Sequence, residues 1–112
     1  MNRIKTGTVE GTGAAIAITC GFVPAVVKLL NIDGNAQMIW TKNMPDAAGQ
    51  KIVDSATGTT DVSYVTSAGI TPVGDAATDT YQGFTIGADT DINVATTGAV
   101  ETILWIAYPD HQ

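Results

Sequence analysis

Basic side chains are scarce in this sequence, and none occurs after Lys51. Arg3, Lys5, Lys28, Lys42 and Lys51 are the whole set, scattered over the first half of a chain of net charge −6. Nucleic-acid affinity rests on Lys and Arg neutralising phosphates and releasing counterions. Five dispersed cations form no basic stripe, so a nucleic-acid partner is not expected. Anionic membrane surfaces are disfavoured for the same reason. No run of about 18 apolar residues is present, so no helical membrane span is expected. The opening MNRIKTGTVEGTG has basic residues without an apolar run behind them, and no secretory signal is read there.

Cysteine and histidine each occur once. A lone Cys20 allows no intrachain disulfide and no cysteine-based metal site. It ends the apolar run Ala14 to Cys20 and reads as a small buried hydrophobe, made in a reducing cytosol. His111 lies in a polar tail. A general base must be held within hydrogen-bond reach of its partner, and a tail residue is poorly held. A Ser-His-Asp site falls with it, and no enzymatic activity or cofactor is expected. Charged residues make up 14% of the chain, against roughly 25% in an ordinary soluble domain.

Small and β-branched residues take their place: 17 Thr, 15 Ala and 12 Gly in 112 residues. The length suits one domain. Residues 1–53 hold five basic and three acidic side chains, and residues 54–112 hold eight acids and no Lys or Arg. Residues 1–13 read as a flexible N-terminal arm or edge strand, and 14–112 as a single β domain. Ile16, Ile18 and Cys20 alternate at period two, which predicts a strand. Phe22 to Ile32 reads as a second strand, favoured over a helix through Ala25 to Leu30 by Pro24 and the short length; Asp33-Gly34-Asn35 reads as a tight turn, and Ala36 to Thr41 as the returning strand of a hairpin. Lys51 to Asp54, Val62 to Thr66, Tyr81 to Ile86, Asp91 to Ala95 and Glu101 to Tyr108 continue the series, and Thr71 to Thr80 reads as a polar loop. Turn signals every 8 to 12 residues and no convincing helix point to an all-β fold. It is expected to be a single β-sandwich, jelly-roll-like or a related small barrel, of about eight short antiparallel strands.

Two of these strands are apolar on both faces. In Glu101 to Tyr108 one face is Ile103, Trp105 and Ala107, and the other Leu104, Ile106 and Tyr108. In the second strand Val27 and Leu29 oppose Val26, Lys28, Leu30 and Ile32. Antiparallel sheets in small monomers commonly keep one face wet. Such strands either run through a curled sheet with a loop laid over it or are covered by another chain. An oligomer is expected. The candidate contact residues are Arg3, Lys5, Val26, Lys28, Leu30, Trp40, Leu104, Trp105, Ile106 and Tyr108.

The remaining strings point away from chemistry. Asp89-Thr90-Asp91-Ile92-Asn93 has the opening spacing of a calcium loop, but Val94 and Val100 stand where that loop needs Gly and Glu. An Asx-capped turn is expected, and no metal. Gly11-Thr12-Gly13 lacks the lysine and the helix of a phosphate loop. Asp75 and Asp79 read as part of a solvated acidic rim. The aromatics lie mostly inside strands, which argues against a sugar-binding platform.

The run Gly83-Phe84-Thr85-Ile86-Gly87, followed by Asp89, Asp91-Ile92-Asn93-Val94 and Glu101 to Ala107, resembles small virion proteins of tailed bacteriophages. So does the earlier order of Gly21-Phe22-Val23-Pro24, Val26 to Asn31 and a strand ending near Trp40. The resemblance covers residues 14 to 108, and its motifs are structural. It implies a head decoration, or cement, protein. Such proteins are small β-rich subunits, often homotrimers, on the outer surface of the assembled phage head. They clamp the major capsid protein against the pressure of packaged DNA. The expected partners are therefore the major capsid protein and further copies of this chain. Arg3 and Lys5 are expected to reach an acidic capsid surface. A tail-fibre or baseplate module that binds a host surface glycan is the alternative.

Overall fold

The computed structural model describes residues 3–54, 58–96 and 99–110. They form ten strands: β1 (Lys5–Glu10), β2 (Ile16–Thr19), β3 (Pro24–Asn31), β4 (Ala36–Thr41), β5 (Ala48–Asp54), β6 (Thr60–Val73), β7 (Gly83–Ile86), β8 (Ala95–Thr96), β9 (Ala99–Val100) and β10 (Thr102–Pro109). Eight of them make one antiparallel sheet in the order β1-β10-β3-β4-β5-β6-β7-β2, and β8 and β9 form a separate small hairpin. The protein is thus all-β, as the alternation predicts. Its main strands share a single curled sheet, and no second large sheet lies opposite among the described residues.

The curl is what makes the core. Phe84 in β7 and Trp105 in β10 stand five places apart in the strand order, yet their rings meet edge to face at 5.6 Å and 74°. Such contacts bring the sheet's inner face round on itself like a half-barrel. Val27, Leu29, Met38, Trp40, Ile70, Phe84, Ile86, Ile92 and Ile103 fill the inside, each almost wholly buried. The Trp40 indole N–H donates to the Pro45 carbonyl at 3.1 Å, so burying this ring leaves no orphan donor. Gly7 sits against the Trp105 ring, where any Cβ would strike the indole.

A corner in β6 allows the curl. Gly49 pairs with Val65, but Ala48 pairs with Ile70, so residues 66–69 are extra on the β6 side. Extra residues on one strand bend it and raise its twist. Ala47 and Ala68 hold positive φ values of 65° and 59° at this corner. The Gly69 N–H donates to Ala47 O and the Gly87 N–H to Gly69 O. As a result β6 has two halves. Thr60–Asp61–Val62–Ser63–Tyr64–Val65 pairs with β5 only, and Ile70–Val73 pairs with β7.

Several local expectations change. The polar-loop reading of Thr71 to Thr80 loses Thr71, Pro72 and Val73 to β6. Pro72 is tolerated because β5 stops pairing at Ile70, so only β7 flanks it. Tyr81 and Gln82 precede β7 and do not belong to it. Asp91 to Asn93 forms a turn, not a strand, because its backbone is bonded to the Asp89 side chain. Pro24 opens β3 opposite Pro109, so two residues without N–H groups face one another.

Candidate functional site

Register aligns the outer side chains of six strands into two rows. One runs Thr8, Leu104, Leu30, Gln37, Ile52, Val62, and the other Thr6, Ile106, Lys28, Ile39, Gln50, Tyr64. Of these twelve side chains only Lys28 is charged. Tyr108 and Val26 extend the surface beyond the second row, and the Lys28 ammonium lies 5.5 Å from the centre of the Tyr108 ring. That placement gives the one cation a π-face to rest on. A groove of about 570 Å³ opens here, walled by Thr6, Thr8, Lys28, Leu30, Ile39, Leu104 and Ile106 among others. Leu30, Val62 and Tyr64 are exposed, the last two by 59% and 54%.

The predicted contact residues therefore divide by strand parity. Val26, Lys28, Leu30, Leu104, Ile106 and Tyr108 come together on this outer face. Trp40 and Trp105 point inward. Trp40, 2% exposed, belongs to the core; Trp105 is half-buried between Gly7 and Phe84. Arg3 and Lys5 are exposed at the β1 edge of the sheet.

The Asp89 to Asn93 segment proves to be a structural clasp. The Asp89 Oδ1 accepts from the backbone N–H groups of Asp91 and Ile92 at 2.8 and 3.2 Å, an Asx turn. The Lys51 ammonium lies 3.0 Å from Asp89 Oδ2 and 2.7 Å from Asp91 Oδ2, where a cation would have to sit. Burial works to lower the Lys51 pKa. The hydrogen bonds to Asp91 and Asp89, with their charges, outweigh it and raise the pKa above 10.5. Asp89 is 6% exposed, so it is no part of a solvated acidic rim. Asp75 and Asp79 do lie in exposed positions. No three His, Cys, Asp or Glu groups converge as a metal site among the described residues.

Two buried amides do work that the sequence did not announce. Asn93 accepts from the N–H groups of Thr12 and Gly13 and donates to Ala14 O and Gly87 O, which uses its full hydrogen-bonding capacity. Asn31, fully buried, accepts from Asp33 and Gly34 N–H and lies within 3.1 Å of Asp91 O, Ile92 O and Glu101 Oε1. An Asn on a strand's inner parity, as Asn31 is after Val27 and Leu29, is the signal that such a hub exists.

Cys20 is buried, its thiol donates to Phe22 O at 3.2 Å, and burial pushes its pKa up. The histidine considered above lies outside the described residues. A second, polar pocket of about 360 Å³ is lined by Lys42, Asp46, Asp75 and Asp110 beside the Trp40 wall. Its Lys42–Asp110 bridge is about half exposed on both sides, so it adds little stability. Comparison with protein-family models, curated proteins and solved structures gives no match to this chain.

Proposed function

We propose that this chain is a structural, non-enzymatic protein of a tailed-phage particle. In this reading it assembles as a homo-oligomer, three copies favoured, on the outer surface of the head against the major capsid protein. It would be made in the host cytoplasm and act in the virion. We take the curled sheet as the small-barrel variant of the expected sandwich. One observation supports the reading above the others: twelve outward side chains in two rows carry a single charge. A surface so poor in charge loses little hydration free energy when covered. Many modest contacts repeated over a symmetric shell then give avidity that none has alone.

The test is co-sedimentation of the purified chain with DNA-filled heads. Leu104→Asp places a carboxylate in the middle of the outer face, and head binding is expected to fall at least about tenfold while the circular dichroism spectrum stays unchanged. Because β1 covers Trp105, deleting it would damage the fold, so point variants replace a truncation. Absence from heads, together with binding of purified protein to a glycan array, would replace this reading with the tail-module alternative.

A further inference from the structure

We propose that the outer-face groove binds a free single-chain fatty acid of about eight to ten carbons, its carboxylate held by Lys28. The site belongs to the single chain and does not rest on the virion reading. The groove runs across β1, β10, β3 and β4, between the two outward rows. Its floor is backbone. Gly7, Trp105 and Leu29 lie in register between the rows, and the Trp105 and Leu29 side chains turn into the core. Rows two residues apart along a strand stand about 7 Å from one another. That width takes one alkyl chain. It does not admit a helix, which is about 10–12 Å across with its side chains. The volume, about 570 Å³, falls within the span of small-molecule sites, about 300–1,000 Å³.

Charge sets the head group. Lys28 makes no ion pair among the described residues, whereas Lys42 and Lys51 do. Ile106 and Ile39 flank it across the sheet, and Val26 and Leu30 along its own strand. None of these, and none of the four diagonal neighbours, carries a charge. The Lys28 stem helps wall the groove, and its ammonium lies by the Tyr108 ring beyond the second row. An ammonium has three N–H groups, so it can donate to a carboxylate while still facing the ring. A second copy seated here would add another Lys28 and no carboxylate from its own two rows. Two ammonium groups would then lose water without gaining a partner.

Geometry sets the tail. From Lys28 the groove passes β10 and reaches β1, two inter-strand steps or about 10 Å away. An extended chain gains about 1.2 Å per bond, so about eight bonds span that distance. Leu30, Leu104 and Ile106 line the path, and their loss of water to the tail supplies the affinity.

Calorimetric titration of the full-length protein with decanoate tests this, at neutral pH where both head groups are charged. A dissociation constant on the order of 0.1 mM is expected, the scale for a ligand of about twelve heavy atoms. Methyl NMR shifts are expected at Leu30, Ile39, Leu104 and Ile106 and not at Ile52 or Val62, which share the face but lie outside the groove. Butanoate, with the head and little tail, should bind at least about tenfold more weakly. Decyltrimethylammonium, with the tail and a cationic head, should also bind at least about tenfold more weakly. Lys28→Met is expected to weaken decanoate binding at least about fivefold, and Lys28→Arg to keep it within about twofold. Lys28 is exposed, so dichroism spectra should match throughout. No binding of decanoate at about 2 mM, equal binding of the two head groups, indifference to Lys28→Met, or shifts centred elsewhere would each overturn the proposal. No heads are present in these measurements, so the fatty-acid site can fail while the virion reading stands, and the reverse.

Discussion

Replacing Lys51 by Met removes the cation that two carboxylates share while keeping a stem of similar length. The cost follows from the geometry. Asp89 is left with its side chain 7% exposed and its Oδ2 without the ammonium at 3.0 Å. Stranding one partner of a buried pair costs about 3–5 kcal/mol. Two features favour the lower end. Oδ1 keeps its bonds to the Asp91 and Ile92 N–H groups, and Asp91, 41% exposed, can turn to water, so its share is discounted. The expected loss is about 3 kcal/mol, or a fall in Tm of about 13 °C for a chain of this length. Thermal unfolding followed by circular dichroism reads it. The pH arm has a definite sign. A lysine pKa raised by folding gives stability that is fully present below 10.5, the unfolded value, and lost as pH rises through the higher folded value. Wild type should therefore lose more stability than Lys51→Met between about pH 10 and pH 12. Equal alkaline slopes, or a Tm drop below about 4 °C, would refute the claim that the clasp carries buried charge.

Two further outcomes follow from the interior. Asn93→Ala strips partners from four backbone groups; water can reach Thr12, Gly13 and Ala14, so the expected loss is about 2 kcal/mol, seen as a Tm fall of about 8 °C. A shift under about 3 °C would mean that solvent replaces all four bonds. The Cys20 thiol should react with a disulfide reagent at least about a hundredfold more slowly in native buffer than in denaturant, because burial both hides it and suppresses the thiolate. Rapid stoichiometric labelling of the native protein would contradict its placement.

Alternation made much of the sheet legible. Ile103, Trp105 and Ala107 against Leu104, Ile106 and Tyr108 is a period-two pattern, and period two assigns faces without knowledge of neighbours. The Asp33-Gly34-Asn35 turn was equally readable, with Asn35 at a φ of 53°. What escaped has a common cause: it depends on groups far apart in the chain. Lys51 looked like one more surface cation, since nothing near it in sequence shows that Asp89 and Asp91 will fold over it. Trp40 read equally as a core or a subunit-interface residue, and only the curl decides that it is enclosed. The β6 corner escaped because nothing within Ser67-Ala68-Gly69 itself marks an unpaired excess. Here it is a four-residue excess on one strand. Pairing with Ala48 and Ile70 is what reveals it.

The position of β10 in the sheet bears on how the chain is made. The strand begun at Thr102 lies between β1 and β3, whose residues precede it by some seventy positions or more. On the ribosome β1 and β3 must wait for nearly the whole sequence before a strand can seat between them, and such long-range closure is slow. Nascent chains stopped before residue 102 would carry an open seam lined by Val27 and Leu29. They would be substrates for chaperones and proteases, not subunits. The topology thus acts as a length check: a copy that can present its outer face in order has already been translated through its last described strand.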